Sequence, residues 1–470
     1  MPESQILVDL KPALDGYAGI PQETRLLFAG LRKLEGAKVE GLLQHGGRRL
    51  RGGLTANSQN WTEAKRIFQL SKFIVSLSDR PLDNVWGAWA DKAQRYFSLH
   101  GLELKTALGS PVSCSVFESG LFGDFVWRTF FDKTLNVSEM KNISGALYRI
   151  VRPSRNQMHK VGLRSLGFRK TANYPLLDTS GFDYFVAQNP FPGRISAGTR
   201  MVVRYHDAVP VLMPHTISDK AFHQATHYHA LVSNIKSGAM FSCISAATQR
   251  DLLTLFPGLE EQTCVIHDMV SEEYFEEESS RSLVSRVVRN RLADVPEFKT
   301  KGGMVRSVEP EFRYLLMVST LEPRKNHLAL VSAWEKLKYN NHPNLKLIVV
   351  GGIGWDADPV LRAFKPWVEQ GELFYLQNVP SAELRVLYRH AEATICPSLA
   401  EGFDYTGVEA MRCGCPVVAS DIAVHREVFD GAAVYFNPYS VEDGAAKIAS
   451  LMSPESDAMS KALRKRGFTF

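Results

Sequence analysis

FRYLLMVSTLEPRKNHLALVSAWEKLK, residues 312–338, holds a strand, a loop and a helix in that order. FRYLLMVS (312–319) is apolar almost throughout, which suits a strand covered on both faces. Helical spacing takes over after the loop. Leu330, Val331, Trp334 and Leu337 fall on one face of a helix predicted over 326–338. The alternation continues to about residue 452. LKLIVVG (345–351) and LFYLQ (373–377) read as strands. DPVLRAFKPWVEQG and SAELRVLYRH (381–390) read as helices, the second with Ser381 as N-cap. ATICPS, VEAMRCG, PVVAS, VHREVF, AVYF and VEDGAAKIASLM extend the series. Buried strands alternating with helices predict an α/β domain with a parallel sheet covered on both sides.

The N-terminal half follows the same logic less regularly. ILVDL (6–10) reads as a strand, KPALDGYAGIP as a loop and QETRLLFAGLRKLE as a helix, with Pro21 at the first helical position. FDYFVAQ (182–188), TRMVVRYHD (199–207), GAMFSCIS (238–245) and QTCVIHD (262–268) read as further strands. A second doubly wound domain follows. The expected organisation is an N-terminal domain over 1–300, with a helical and basic insertion at about 45–175, and a C-terminal domain over 301–470. Residues 276–311, rich in charge and carrying Pro296 and Pro310, read as an exposed connection.

Composition bounds the function. With 470 residues the chain suits two or three domains, at roughly 150 residues each. Hydrophobic residues at 45% and charged residues at 22% exclude collagen-like, disordered and coiled-coil classes. No stretch reaches ~18 consecutive apolar residues, so no membrane-spanning helix is expected. The start, MPESQILVDL, puts an acid where a secretory signal needs a basic and then an apolar run; a cytoplasmic protein is expected. The net charge of +5 does not by itself indicate nucleic acid, and none is expected as a partner. The six cysteines read as free thiols, and the Cys413–Cys415 pair as packing at a tight turn rather than a metal site. His223, His227 and His229 include an i, i+4 pair, and helix-surface or acceptor-contact roles are preferred to zinc. No metal is expected. Residues 141–177 carry Lys141, Arg149, Arg152, Arg155, Lys160, Arg164, Arg169 and Lys170 with no Asp or Glu. They are either a solvated face or a contact for anionic lipid or a lipid-diphosphate acceptor, at the inner face of a membrane.

Ligands of open α/β sheets bind at the carboxyl ends of the strands. Arg324 and Lys325 stand between a strand end and a helix start, where two cations beside a helix N-terminus suit a diphosphate. GIGW (352–355) offers a Gly-rich turn but does not match GxGxxG. After ATICPS, LAEGFDYTGVEAMRCGCPVVAS places Glu401 in a loop and Glu409, seven intervening residues on, in the first turn of the next helix. Carboxylates there accept paired hydroxyls, as a ribose or hexose offers. Gly402, Gly407 and Gly414 keep the loop tight against a ligand.

EGFDYTGVEAMRCGCPVVAS, preceded by TLEPRKNH, resembles the donor-binding domain of family 4 glycosyltransferases. These are retaining enzymes of the GT-B fold: two doubly wound Rossmann-like domains facing a central cleft. Glu401, Glu409, Ala410, Met411, Gly414, Pro416 and Val417 match the family's motif. The resemblance implies roles. Arg324 and Lys325 would neutralise the nucleotide diphosphate, Glu409 would hold the ribose hydroxyls, and Glu401 would hold the transferred sugar or steady the transition state. Backbone around Gly402, Phe403 and Asp404 would meet the phosphate or sugar. VVRYHD resembles the family strand that would set His206 beside the donor sugar with Asp207 behind it. The turn at Gly16–Ile20, with Gly19, would face the diphosphate. Two departures stand out. The family's GLP after EGF is replaced by Asp404, Tyr405, Thr406 and Gly407, and the chain stops at RKRGFTF, where a helix crossing back to the N-terminal domain would begin.

The implied reaction moves a sugar from a nucleotide-diphospho-sugar to a glycan or lipid-linked saccharide in surface polysaccharide synthesis. GDP-mannose is the favoured donor, because TLEPRKN resembles members that use it. The leaving diphosphate gathers charge as the sugar becomes oxocarbenium-like, so positioning and cationic stabilisation do most of the work. A retaining hydrolase is disfavoured, because Glu401 and Glu409 both sit on the donor side. The alternatives are a sugar-nucleotide epimerase on the same architecture and a non-catalytic sugar-nucleotide-binding partner.

Overall fold

The computed structural model describes residues 3–17, 19–58, 60–77, 85–292, 298, 308–452, 461–462 and 465. The chain divides into two compact units. One takes in Met1–His206, Ala221–Ile244 and Leu252–Met269; the other takes in Asp207–Lys220, Ser245–Asp251 and Val270–Phe470.

The first unit contains β1 (Ser4–Asp9), β2 (Ala37–Leu43), β3 (Ser115–Glu118), β4 (Leu147–Ile150), β5 (Leu176–Leu177), β6 (Tyr184–Ala187), β7 (Arg194–Ile195), β8 (Arg200–Tyr205), β9 (Met240–Cys243) and β10 (Thr263–Val265). Eight of them form one sheet in the order β10-β9-β8-β6-β1-β2-β4-β3. All neighbours run parallel except β3, which is antiparallel to β4. The chain builds outward from β1 to β4 and then returns to β6 on the other side of β1. The topological switch point therefore lies between β1 and β6. The region 45–175, read as an irregular insertion, supplies β3 and β4 and widens this sheet. SVFE and LYRI each interleave polar with apolar residues, so neither stands out as an apolar run. Helix Ile20–Leu31 begins two residues earlier than QETRLL suggests. Gly19, at φ +66, serves as its N-cap, and Pro21 fits its first two positions.

The second unit contains β11 (Tyr314–Val318), β12 (Lys346–Val350), β13 (Leu373–Leu376), β14 (Ala393–Cys396), β15 (Val417–Ser420) and β16 (Ala433–Phe436). They form one sheet in the order β13-β12-β11-β14-β15-β16, parallel throughout. Trp334, fully buried on helix His327–Asn340, donates Nε1–H to Leu345 O at 2.9 Å and meets Trp367 edge-on. Ser381 is the first residue of its helix, and Pro380 holds the cap position. Residues 276–311 are not simply an exposed connection. Ser282–Leu292 is a helix with Val284, Val287 and Val288 buried, packed against β13 and helix Ser381–His390. That packing places the second unit's start at Val270, well before the boundary expected at 300/301. KTKGG (299–303) lies outside the described residues, as does the terminal RKRGFTF apart from Lys465. Gly351 and Gly354 of the Gly-rich turn serve the chain itself, while a Cβ on Gly352 would meet nothing. A Cβ on Gly351 would lie 1.9 Å from Ser319 O, and one on Gly354 2.6 Å from Leu321 O.

Candidate active site

β11 and β14 are neighbours in the sheet, so the loops leaving their carboxyl ends meet. The first forms a tight turn over Pro323–Lys325 and enters helix His327–Asn340 through Asn326, left-handed at φ +61. Asn326 donates through Nδ2 to Pro397 O and Pro438 O at 3.1 and 3.0 Å. Leu399 N–H donates to Arg324 O at 2.8 Å. These bonds fix both loops.

The guanidinium of Arg324 and the carboxylate of Glu401 are thereby brought together. Arg324 Nη1 donates to Glu401 Oε2 at 2.8 Å and to Ala400 O at 3.0 Å. Its Nη2 pairs with Glu322 Oε1 at 2.9 Å. Lys325 Nζ donates to the other oxygen, Glu401 Oε1. Burial alone would raise Glu401, but Arg324 and Lys325 outweigh it and hold the carboxyl well below the usual range. Burial likewise opposes charge on Arg324. Glu401, Glu322 and Asp207, all in the second unit, reverse that and raise its affinity for the proton. Glu322 is pushed up by burial, against the pull of Arg324 and Lys325. Sequence reading passed over Glu322, although it sits inside TLEPRKNH. An acid two residues before an Arg carries no signal until the turn folds the two together.

Glu409 is held differently. It lies in the second turn of helix Tyr405–Arg412, not the first, because Asp404 is the N-cap. It is buried, and Tyr388 Oη donates to its Oε2 at 3.3 Å. Tyr274 bonds to it as well. Burial, with Glu409 beside them, keeps both phenols protonated far above their ordinary range. Tyr274 and Tyr388 are distant in sequence, and neither showed a motif.

Asp404 stands in the left-handed region at φ +69, which an Asp tolerates better than most residues. Its Oδ1 accepts Thr406 N–H at 3.1 Å, and its Oδ2 lies 3.0 Å from His425 Nε2. His425 Nδ1 is 2.9 Å from Ser420 O. The Asp404 side chain is thus engaged inside the domain. Phe403 is buried edge-on to Tyr405, and Gly402 is buried too. Gly407 allows the ring of Phe429 to pack against the helix, since a Cβ there would lie 2.2 Å from it.

Gly19 and His206 belong to the first unit. Gly19 is exposed. His206 is buried after β8; burial, with Arg204 adding to it, pushes it down to about 3, so its imidazole is neutral at pH 7. Asp207 Oδ1 accepts Val209 N–H at 3.0 Å and caps the short turn that follows. His223, His227 and His229 lie on helix Lys220–Lys236, where His227 faces Tyr205. Among the described residues no group of three or more His, Cys, Asp or Glu is arranged to hold a metal.

Residues 306–469 match the family described as glycosyl transferases group 1. The chain is 34% identical over 154 residues to O-antigen chain mannosyltransferase B of Escherichia coli, covering 33% of this chain and 40% of that protein. It is 32% identical over 138 residues to O-antigen chain mannosyltransferase RfbU of Salmonella typhimurium, covering 29% of this chain and 38% of that one. The matches thus span less than half of each relative. Among solved structures, sucrose-phosphate synthase from Thermosynechococcus elongatus superposes with a TM-score of 0.55 at 14% identity, over 99% of this chain and 93% of that one. The fold is GT-B.

Proposed function

Residues 306–469 being a group 1 glycosyltransferase domain, we propose that the chain is a retaining glycosyltransferase. It transfers a sugar from a nucleotide-diphospho-sugar, GDP-mannose foremost, to a glycan or lipid-linked acceptor in surface polysaccharide synthesis. The observation that carries the reading is the Arg324–Glu401–Lys325 cluster at the carboxyl ends of β11 and β14, inside the matched domain. The mannosyltransferase names of the relatives support the donor.

In this reading Lys325 and Arg324 stabilise the departing diphosphate, whose charge grows as the anomeric C–O bond breaks. Glu401, ionised between them, faces the sugar hydroxyls or the developing oxocarbenium. Glu409, kept in place by two phenols, accepts the ribose hydroxyls. Neutral His206 can accept a hydrogen bond from the sugar without adding charge. The acceptor hydroxyl attacks from the face the leaving group departs, so configuration is retained. The backbone at 402–404 completes the donor site, and no metal ion is required.

The test uses the full chain. A thermal-shift panel of GDP-, UDP- and dTDP-sugars is followed by release of labelled sugar from each donor. Stabilisation by GDP-mannose with turnover is the expected result. Stabilisation without release or transfer would favour a binding partner, and interconversion of the donor sugar an epimerase.

A further inference from the structure

We propose that the outward face of helix Val85–Ala107, together with the end of helix Arg155–Ser165, docks this chain onto an anionic phospholipid surface. The helix is apolar on two sides. One side packs inward through Leu102, with Thr106 beside it. The other presents Trp89, Tyr96, Phe97 and Leu104, with Leu108 just beyond the helix end, each more than 60% exposed. At helical spacing these five fall within roughly 120° of arc, a stripe as wide as the core-facing side of an ordinary surface helix. Tyr96 packs edge-on against Phe97 and His100, giving a continuous aromatic ledge.

Among the described side chains of this helix the charged residues are Lys92, Arg95, Lys105 and one acid, Glu103. Lys92 and Lys105 are exposed on the ledge's two flanks. Glu103 is paired with Arg164 at 2.7 Å, and its other oxygen lies 2.7 Å from His100 Nδ1. The Arg164 pair, with Gln157 Nε2 donating to Ser98 Oγ at 2.7 Å, joins the two helices into one surface. That surface continues into exposed Phe168, Arg169 and Lys170. The basic segment 141–177 is otherwise partly consumed inside the unit, where Arg149 pairs with Glu40 and Arg155 with Asp9. Of its exposed cations, Arg164, Arg169 and Lys170 stand at this end, and Lys141, Arg152 and Lys160 lie elsewhere along the segment.

Trp, Tyr, Phe and Leu flanked by Lys and Arg suit the boundary between headgroups and acyl chains. A symmetric second copy fits poorly, because a two-fold contact would set each cation against like charge. The inference does not depend on which sugar is transferred, and its test needs no turnover. The full chain is floated with vesicles of phosphatidylcholine alone, or with about 30% phosphatidylglycerol. Association with the anionic vesicles is expected. A roughly tenfold loss is expected in Phe97→Ser/Leu104→Ser, and a similar loss in Arg169→Glu/Lys170→Glu. Both variants alter exposed side chains, so their circular dichroism and melting should match the parent. Flotation of either variant equal to the parent, equal binding to neutral vesicles, or no binding by the parent would overturn the proposal. A parent dimer that Phe97→Ser/Leu104→Ser makes monomeric would also overturn it and give the face to a second copy.

Discussion

Glu401 and Glu409 stand at the two ends of one motif, yet the protein surrounds them oppositely. Glu401 is gripped by two cations and stays ionised. Glu409 lies among Tyr274, Tyr388 and the helix, held by neutral donors. One carboxylate is fixed as a charge and the other as a hydrogen-bond acceptor. The same residue type at matched positions thus sits in two electrostatic settings, and local partners decide which.

Breaking the first half of that contrast should have the largest effect. Glu401→Gln removes the charge that balances Arg324 and Lys325. Turnover of the nucleotide sugar should fall by about 10²–10³-fold, measured as labelled sugar released. Glu401→Ala should in addition lower stability by about 3–5 kcal/mol in urea titration, since it leaves two largely buried cations without their shared partner. Retained turnover in Glu401→Gln would place the reacting centre elsewhere.

The second half is broken by Glu409→Ala, which should weaken nucleotide-sugar affinity by roughly tenfold or more, the cost of lost charge-assisted hydrogen bonds, while leaving the fold intact by circular dichroism. Calorimetric titration reads it, and unchanged affinity removes Glu409 from the site. Tyr388→Phe, which deletes one phenol bond, should move the same affinity by only a few-fold.

Acid separates Glu401 from its neighbour Glu322. The folded pKa of Glu401 lies below the ordinary value near 4.5. Its ionic contribution is present in full above that value and is lost as pH falls through it toward the folded pKa. Glu322 is shifted the other way, so it favours the folded state at low pH and loses that advantage as pH rises through its raised pKa. Urea midpoints measured from pH 7 downward should fall less steeply in Glu401→Gln than in the parent, and more steeply in Glu322→Gln.

The loop between both acids is read through stability alone. Asp404→Ala loses the cap to Thr406 and the bond to His425 while keeping a left-handed backbone. A loss of about 1–2 kcal/mol is expected. Asp404→Asn, which keeps an acceptor and tolerates that backbone, should recover most of it in the same titration.

What could be read from the chain follows from the range of the forces involved. The strands of the second unit are apolar runs closed by turn residues, so hydrophobic patterning alone located them. β3 and β4 are four residues long and were lost inside a region that looked irregular. Helix Ser282–Leu292 was hidden by its arginines, although Val284, Val287 and Val288 already trace a helical face. At the site, Arg324, Lys325 and Glu401 were legible because strand–loop–helix punctuation placed them at one sheet edge. Glu322, Tyr274, Tyr388 and His425 were not. They act by touching a motif residue from elsewhere in the fold, and nothing local marks such a partner.

The forked contact of Arg324 carries one more consequence. With Nη1 on Glu401 and Ala400 O, and Nη2 on Glu322, an incoming anion must displace an internal rival before it gains this side chain. In the proposed reaction, recognition there would be an exchange, in which small free anions such as sulfate or orthophosphate have little with which to win. A molecule that brings further groupings for the surrounding acids and backbone can, so the resident carboxylates act as a threshold against partial ligands.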